Sequence, residues 1–153
     1  MKTNFFRLFR HADWANRRVL ALLQSVNEPP EKARRLFAHV LASEQVWLAR
    51  LRGEDSTALE IWPELSLEKC AALVEKNAAD YRAYFEALPD ASLSDVITYR
   101  NSKGIQFRTL VMDVFTHVSV HGSYHRGQIA QTMRNAGHEP VNTDFITFVR
   151  EEK

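Results

Sequence analysis

Residues 113–137 read DVFTHVSVHGSYHRGQIAQTMRNAG, and the rest of the chain is best understood outward from this stretch. Histidine recurs in it at every fourth position, as His117, His121 and His125. On an α-helix, side chains four residues apart point the same way, about 6 Å apart at Cβ. A single metal ion can bridge that distance, and the helices of metalloproteases use the same spacing. The stretch therefore predicts a helix that carries a candidate metal site.

The sequence also indicates where this helix begins and ends. Thr109 can act as its N-cap, because a threonine hydroxyl accepts hydrogen bonds from the free backbone N–H groups of a first turn. Gly137 suits the position that follows a last turn, and Pro140 lies just beyond it. We expect one of the longest helices of the chain between these residues.

Helical periodicity separates the three histidines. His121 and His125 fall on a narrow, otherwise mostly apolar stripe, whereas His117 lies roughly 80° from its centre. Burying two imidazoles in a core is costly unless each finds a partner. A metal ion with an open coordination position is one such partner, and ordinary hydrogen bonds are another. We expect His117 not to be a ligand. The stripe consists of Val111, Val114, Val118, His121, His125, Gln128 and Thr132.

Length and composition predict a single domain over residues 1–153 with an ordinary core. The formal net charge of +1 gives no basic field for nucleic acid or for an acidic membrane surface. Charged residues interrupt the apolar run at the N-terminus, and no segment is long enough to span a membrane. Cys70 is the only cysteine, so no intrachain disulfide can form, and we expect a cytoplasmic protein.

Three further amphipathic helices are predicted, over residues 4–26, 31–52 and 66–88, with Ser66 as the N-cap of the third. Residues 95–108 break the helical pattern. They are rich in β-branched and aromatic residues around a turn with Gly104, which predicts a β-hairpin packed on the bundle. The fold class is therefore all-α: a four-helix bundle with a small hairpin before helix 4 and a short C-terminal helix.

The C-terminal helix is expected after a cap at Asn142 or Thr143, and its two phenylalanines should cover one end of the bundle or meet a partner. Trp14 points away from the core side of helix 1, where it should pack under a loop or in a subunit interface. These outward aromatic residues suggest a homodimer. His11 lies at the edge of the core face and is expected to be structural.

Several polar residues lie on or beside core faces. Asn16 interrupts the seam of helix 1 and should bond a neighbouring helix. Glu44 lies within the apolar stripe of helix 2 and has three interpretations: partner of a buried arginine, acceptor for a histidine, or general base. His39, on the flank of the same stripe, is by periodicity alone better explained as a core histidine than as a ligand. Cys70 is expected to be a small buried apolar residue.

Over nearly the whole chain, the sequence resembles the DinB/YfiT-like proteins, a group of four-helix-bundle metalloenzymes. The resemblance implies a metal triad of one histidine from helix 2 and two from helix 4, which by motif are His39, His121 and His125. The stretches that carry it are HADWANRRVL, HVLASEQVWLARLRG, YRNSKGIQF, HVSVHGSYHRGQIAQ and PVNTDFITFV, and the HGSYHRGQI block is the most specific.

The family includes thiol S-transferases, which join a low-molecular-weight thiol to an electrophile, and a thiol-dependent isomerase. The resemblance therefore implies an enzyme with Zn²⁺ or Ni²⁺ that activates a small-molecule thiol or acts on an electrophile. Glu44 and Tyr124 are the candidate catalytic auxiliaries, with Arg126 as a third. Tyr124 and Arg126 lie off the core stripe, where they can equally be interface residues, and Gly122 and Gly127 are expected to mark close helix packing.

Three other interpretations compete with thiol transfer. A metal-dependent hydrolase would use the same ion to activate water. A non-catalytic, stress-associated dimer would use the ion only to hold the bundle together. A DNA-binding module is disfavoured by the near-neutral charge and by the lack of a basic stripe.

Overall fold

The computed structural model describes residues 1–152, and it contains the predicted bundle, hairpin and terminal helix. A 3₁₀ turn over Asp90–Ser94 connects the third long helix to the hairpin. None of the described helices is long and apolar enough to cross a membrane. The elements are α1 (Lys2–Ser25), α2 (Glu31–Leu51), α3 (Leu67–Ala87), β1 (Val96–Arg100), β2 (Gln106–Leu110), α4 (Val111–Asn135) and α5 (Phe145–Glu151).

The four long helices form a ring in which α2 packs against α4 and α3, and α1 packs against α3 and α4. Apolar side chains fill the two ends of the ring as separate clusters. One cluster, near the hairpin, is built around Phe9, Phe85 and Phe115. The other, at the opposite end, includes Phe37 and Met133. Along every long helix, buried polar residues lie between these clusters, so the core has a polar middle layer.

The predicted helix ends are partly right. Ser66 is the N-cap of α3, and its hydroxyl accepts a hydrogen bond from the backbone N–H of Lys69 at 3.2 Å. Gly137 follows α4 with a φ of 82°, in the left-handed region that favours glycine.

Two other predicted caps are wrong. Thr109 does not cap α4, because it lies within strand β2, and the helix begins after Leu110 with no side-chain cap. Neither Asn142 nor Thr143 is the N-cap of α5, which is Asp144. Asn142 instead accepts a hydrogen bond from the backbone N–H of Asp144 at 2.8 Å, and so forms the turn that precedes the helix.

The hairpin is antiparallel, with Thr98 opposite Arg108, and it packs on the bundle as expected. Its contact is aromatic: the rings of Trp47 on α2 and Tyr99 on β1 meet edge to face, with centroids 5.2 Å apart. The Arg50 guanidinium lies over both rings, 4.5 Å from one centroid and 4.6 Å from the other. This packing holds the hairpin against the end of α2, and β2 leads directly into α4.

Helix α5 covers the outward side of α1. Phe148 is buried there, and the Trp14 indole N–H donates a hydrogen bond to Glu151 at 3.0 Å. His11 is 6% exposed, and its Nε2–H donates to the carbonyl of Thr143 at 2.8 Å, so it has the expected structural role. Because Trp14 finds its partners within the chain, it no longer argues for a homodimer, which stays a prediction.

Candidate metal centre

Three histidines from two helices converge on one point in the middle layer. Their Nε2 atoms lie close together: 3.2 Å from His39 to His121, and 3.1 Å from His125 to His121. His39 comes from α2, and the other two lie one turn apart on α4. One nitrogen from each ring lies within 4.8 Å of the others, so the three can hold a metal ion. Within residues 1–152, no fourth histidine, cysteine or acidic residue joins this group.

Hydrogen bonds at the far side of two rings decide which nitrogen faces the cluster. His39 Nδ1 lies 2.7 Å from the carbonyl oxygen of Ile61, and His125 Nδ1 lies 2.7 Å from Oε1 of Gln128. Because both partners are oxygens that only accept, each Nδ1 carries the hydrogen and donates it. Each Nε2 is then left with a lone pair directed at the cluster, which is the form of imidazole that binds a metal.

The arrangement fits a metal ion better than a set of hydrogen bonds. His121 Nε2 faces two lone pairs, and a single N–H could satisfy only one of them. Metal–nitrogen bonds of about 2.0–2.1 Å place adjacent ligand nitrogens about 2.9–3.4 Å apart in tetrahedral or octahedral geometry. The two observed separations, 3.2 Å and 3.1 Å, lie within that interval. Three imidazoles suit zinc, copper, iron or nickel.

The surroundings of His121 and His39 favour the neutral form of both rings, as metal binding requires. Burial, together with the neighbouring rings of His125, His39 and His117, lowers the pKa of His121 to about 4. Burial also lowers the pKa of His39, and the hydrogen bond to Ile61 opposes that shift. Both rings therefore offer lone pairs at neutral pH without losing a proton first.

The loop between α2 and α3 covers the site from outside. The indole of Trp62 stacks on the His39 ring, with 3.7 Å between centroids and 4° between planes. The preceding residue, Ile61, supplies the carbonyl that holds the same ring. Two consecutive loop residues thus set the position and tilt of His39, which is 4% exposed.

His117 lies outside the cluster, in agreement with its predicted position off the stripe. It is exposed, and its ring packs against Trp47 at 4.9 Å between centroids. Its ring centroid lies 5.3 Å from that of His121, but only His121 belongs to the cluster.

Glu44 is placed in the polar middle layer and not among the histidines. Its carboxylate accepts hydrogen bonds from the amides of Asn16 and Asn77, both at 2.8 Å. Asn16 confirms the expected bond to a neighbouring helix. No hydrogen bond joins Glu44 to a histidine within residues 1–152. Burial raises the pKa of this carboxyl, while the two amides and the charge of Arg126 lower it. Glu44 also borders a cavity of about 50 Å³ on the α1–α3 side.

Arg126 is 2% exposed and lies in the core, so the expectation that it is an interface residue is wrong. Its Nη1 donates to Oδ1 of Asn16 at 3.0 Å, so Asn16 links the guanidinium to Glu44. Its Nε has no hydrogen-bond partner among the described residues. Burial lowers its pKa to about 10, and the charge of Glu44 opposes that shift. Three interpretations of Glu44 were open, and the structure favours the first: Glu44 is the partner of a buried arginine, and the Asn16 side chain lies between them.

Gly122 makes room for this buried guanidinium. A Cβ at Gly122 would lie 2.9 Å from Nη1 of Arg126, so the close approach is to a side chain of the same helix and not to another helix. Gly127 faces open space, with nothing within 4 Å of a Cβ placed there. The expectation that both glycines mark close packing between helices is therefore wrong. Gly127 faces open space, and Gly122 packs closely against the Arg126 side chain of its own helix.

Tyr124 lies at the outer edge of the site. It is 64% exposed, and its ring is 5.1 Å from that of His125 between centroids. Its hydroxyl accepts a hydrogen bond from Nε2 of Gln128 at 3.3 Å, while the oxygen of the same amide holds His125.

Cys70 lies away from the site. It is 1% exposed, and burial raises the pKa of its thiol to about 11, which agrees with an inert core residue.

Comparison with known proteins places the chain in a family. The family model described as "DinB family" matches residues 1–153. The chain belongs to the DinB family. It is also similar to "Protein DinB" from Bacillus subtilis (strain 168), with 24% identity over 157 residues that cover 92% of this chain and 90% of the relative. Membership in the DinB family confirms the resemblance seen in the sequence, over the whole chain.

Some residues of this DinB-family site were not assigned a role from sequence. Gln128 was recognised only as a stripe residue, although its amide holds His125. Ile61 and Trp62 lie between the second and third predicted helices, and nothing in the sequence pattern assigns them a role. A spacing of three residues between His125 and Gln128 on a helix could have indicated the first contact. No local signal could have indicated the contact between His39 and the Ile61 carbonyl, because every residue of a loop carries a backbone carbonyl.

Proposed function

We propose that this DinB-family protein is a metalloenzyme that joins a low-molecular-weight thiol to a small electrophile. The observation that supports it most is the set of three Nε2 atoms without a fourth protein donor within residues 1–152. Structural zinc sites fill their coordination sphere with protein ligands, whereas catalytic sites keep at least one position open. We expect Zn²⁺ or Ni²⁺ in the site.

When bound, a divalent ion supplies a Lewis acid that favours a thiolate over a thiol at neutral pH. In the overall reaction the thiol sulfur forms a bond to the electrophilic carbon, and the leaving group departs with its electron pair. The thiol proton passes to solvent.

The residues of this protein would have separate tasks in that reaction, with Ile61 acting through its backbone carbonyl. His39, His121 and His125 hold the ion, while Ile61 and Gln128 keep two of their rings in the correct tautomer. Buried rings and the Trp62 indole keep water away from one side of the site.

We assign different places to Tyr124 and Glu44, two of the three candidate auxiliaries. Tyr124 is exposed beside His125, so it is the one that can contact a substrate. Glu44 is surrounded by the amides of Asn16 and Asn77, so we propose that it supports the bundle and is not a general base.

The test is product analysis with a small electrophile, such as monobromobimane, in the presence and absence of a thiol. Metal-loaded protein should form the thioether faster than the uncatalysed reaction, and both a chelator and His125→Ala should abolish the gain. His138→Ala is the matched control, since His138 lies beyond α4 and outside the cluster. A hydrolysed product formed without thiol would support the hydrolase instead. No turnover of any kind, with metal bound, would support the non-catalytic protein.

A further inference from the structure

A groove of about 670 Å³ runs along the first turns of α2, and its lining includes Trp62, whose indole stacks on the His39 ring. Its volume lies in the range of about 300–1,000 Å³ that is typical of small-molecule sites. Trp62 is the wall shared by groove and metal centre, because one face of its indole covers His39 and the side chain is still 51% exposed. The lining residues are Glu31, Lys32, Arg35, Leu36 and Trp62.

The groove has an apolar floor and a basic rim. Leu36 is 6% exposed and forms the floor, while Lys32 and Arg35 are exposed along the edge. Neither cation forms an ion pair within residues 1–152. Glu31 is the single acidic lining residue, so the lining carries two positive charges against one negative charge.

The position of these cations relates them to the reaction centre. Arg35 precedes His39 by four residues on α2, so the two side chains emerge on the same face of the helix, one turn of about 5.4 Å apart. An arginine side chain presents a fork of donors that matches a carboxylate. Arg35 therefore leaves α2 on the same side as His39, next to the Trp62 indole that stacks on the His39 ring.

We propose that Lys32 and Arg35 form a specificity subsite for a carboxylate carried by the thiol reactant. The inference rests on the proposed function, because it assumes a thiol at the metal. The apolar floor and the Trp62 indole would contact the carbon chain between the sulfur and the carboxylate. The subsite thus selects an acidic thiol over a neutral or cationic one of the same length.

The test uses binding and not turnover as its readout. The protein is loaded with cobalt(II), and the near-ultraviolet absorption band of a cobalt–thiolate bond is titrated with three six-carbon probes: mercaptohexanoate, mercaptohexanol and aminohexanethiol. An exposed ion pair contributes up to about 1 kcal/mol, so the acid should bind about fivefold more tightly than the alcohol. The amine should bind more weakly than either.

Variants then locate the effect. Arg35→Gln and Lys32→Gln should each bring the ratio of acid to alcohol affinity closer to one, and the double variant should remove the preference. Arg108→Gln is the matched control, because it removes the same charge from an exposed position on the hairpin and should leave the ratio unchanged. Unchanged thermal unfolding of the groove variants would show that they are folded.

The remaining outcomes separate the two proposals. Equal affinity for acid and alcohol, with the band present for both, would overturn the subsite and leave thiol chemistry intact. Tighter binding of the amine would also overturn the subsite, because Glu31 would then dominate the groove. Absence of the band with every probe, although cobalt is bound, would overturn the proposed function and the subsite with it.

Discussion

Gln128 holds His125 from the side opposite the metal centre: Oε1 of the amide lies 2.7 Å from Nδ1 of the ring, one turn away on the same helix. This bond keeps the Nε2 lone pair of His125 directed at the cluster. The same amide contacts the exposed Tyr124 hydroxyl, so it also ties the ligand to the outer rim of the site.

Replacing Gln128 by leucine should weaken metal binding without removing a ligand. Loss of a partner behind a metal-bound histidine typically costs about 10–100-fold in affinity. Competition with a chromophoric chelator would measure the change. Gln131→Leu is the matched control, because Gln131 bonds only Asn135 on the surface of the same helix. Equal affinities in the two variants would show that Gln128 does not orient the ring.

The metal content should distinguish two neighbouring histidines on α4. His121→Ala removes the nitrogen that lies between the other two, so bound zinc or nickel should fall from about one ion per chain to nearly none. His117→Ala removes an exposed ring outside the cluster and should keep the ion. Elemental mass spectrometry on untagged protein provides the measurement. Retention of metal by His121→Ala would contradict the assigned site.

Glu44→Gln should destabilise the bundle while leaving the metal in place. Both carboxylate oxygens accept from asparagine amides, so a glutamine NH₂ would face another donor. A buried donor without an acceptor costs about 1–3 kcal/mol in the free energy of unfolding. Urea unfolding would measure the loss, with the exposed Glu86→Gln as control. Loss of metal at unchanged stability would instead place Glu44 in the site.

Two glycines on α4 should respond oppositely to alanine. Gly127→Ala should stabilise the protein by about 0.5–1 kcal/mol, because alanine favours the helix and the new methyl group meets open space. Gly122→Ala should destabilise it by about 1–3 kcal/mol, because the methyl group would displace the buried Arg126 guanidinium from Asn16. Thermal unfolding of the pair provides the comparison. A stabilising Gly122→Ala would show that Arg126 has room to move.

Acid should destabilise the protein partly through His11. Burial lowers the pKa of this imidazole below its ordinary value of 6.5, while the hydrogen bond to Thr143 opposes the shift. As the pH falls below 6.5, the unfolded chain therefore binds a proton that the folded chain does not, and stability decreases; above 6.5 there is no effect.

His11→Gln removes this titration and keeps a donor for Thr143. The loss of stability between about pH 7.5 and about pH 5.5 should be smaller in this variant than in the unmodified protein. Urea unfolding with a chelator present measures both without a contribution from bound metal. An identical loss in the two proteins would assign the acid sensitivity to other groups.

What the sequence determined by itself is local. A period of four residues placed His121 and His125 on one face of a helix, and the apolar stripe of that helix left His117 outside its centre. Ser66 marks the start of α3, where its hydroxyl caps the first turn, and Gly137 marks the end of α4, where the backbone takes a positive φ. Such features depend on the residues of one segment only, so they can be read before the partners of that segment are known.

What only the tertiary structure decided is which faces meet. His39 is ambiguous within its own helix, and it becomes part of the cluster because α2 packs on α4 and because Ile61 and Trp62 fold over its ring. Arg126 appeared to be a surface residue by periodicity. The Asn16 acceptor on α1, and the space left by Gly122, allow its charge to be buried. Interactions of this kind join residues far apart in the chain, so their energy exists only after the helices have packed.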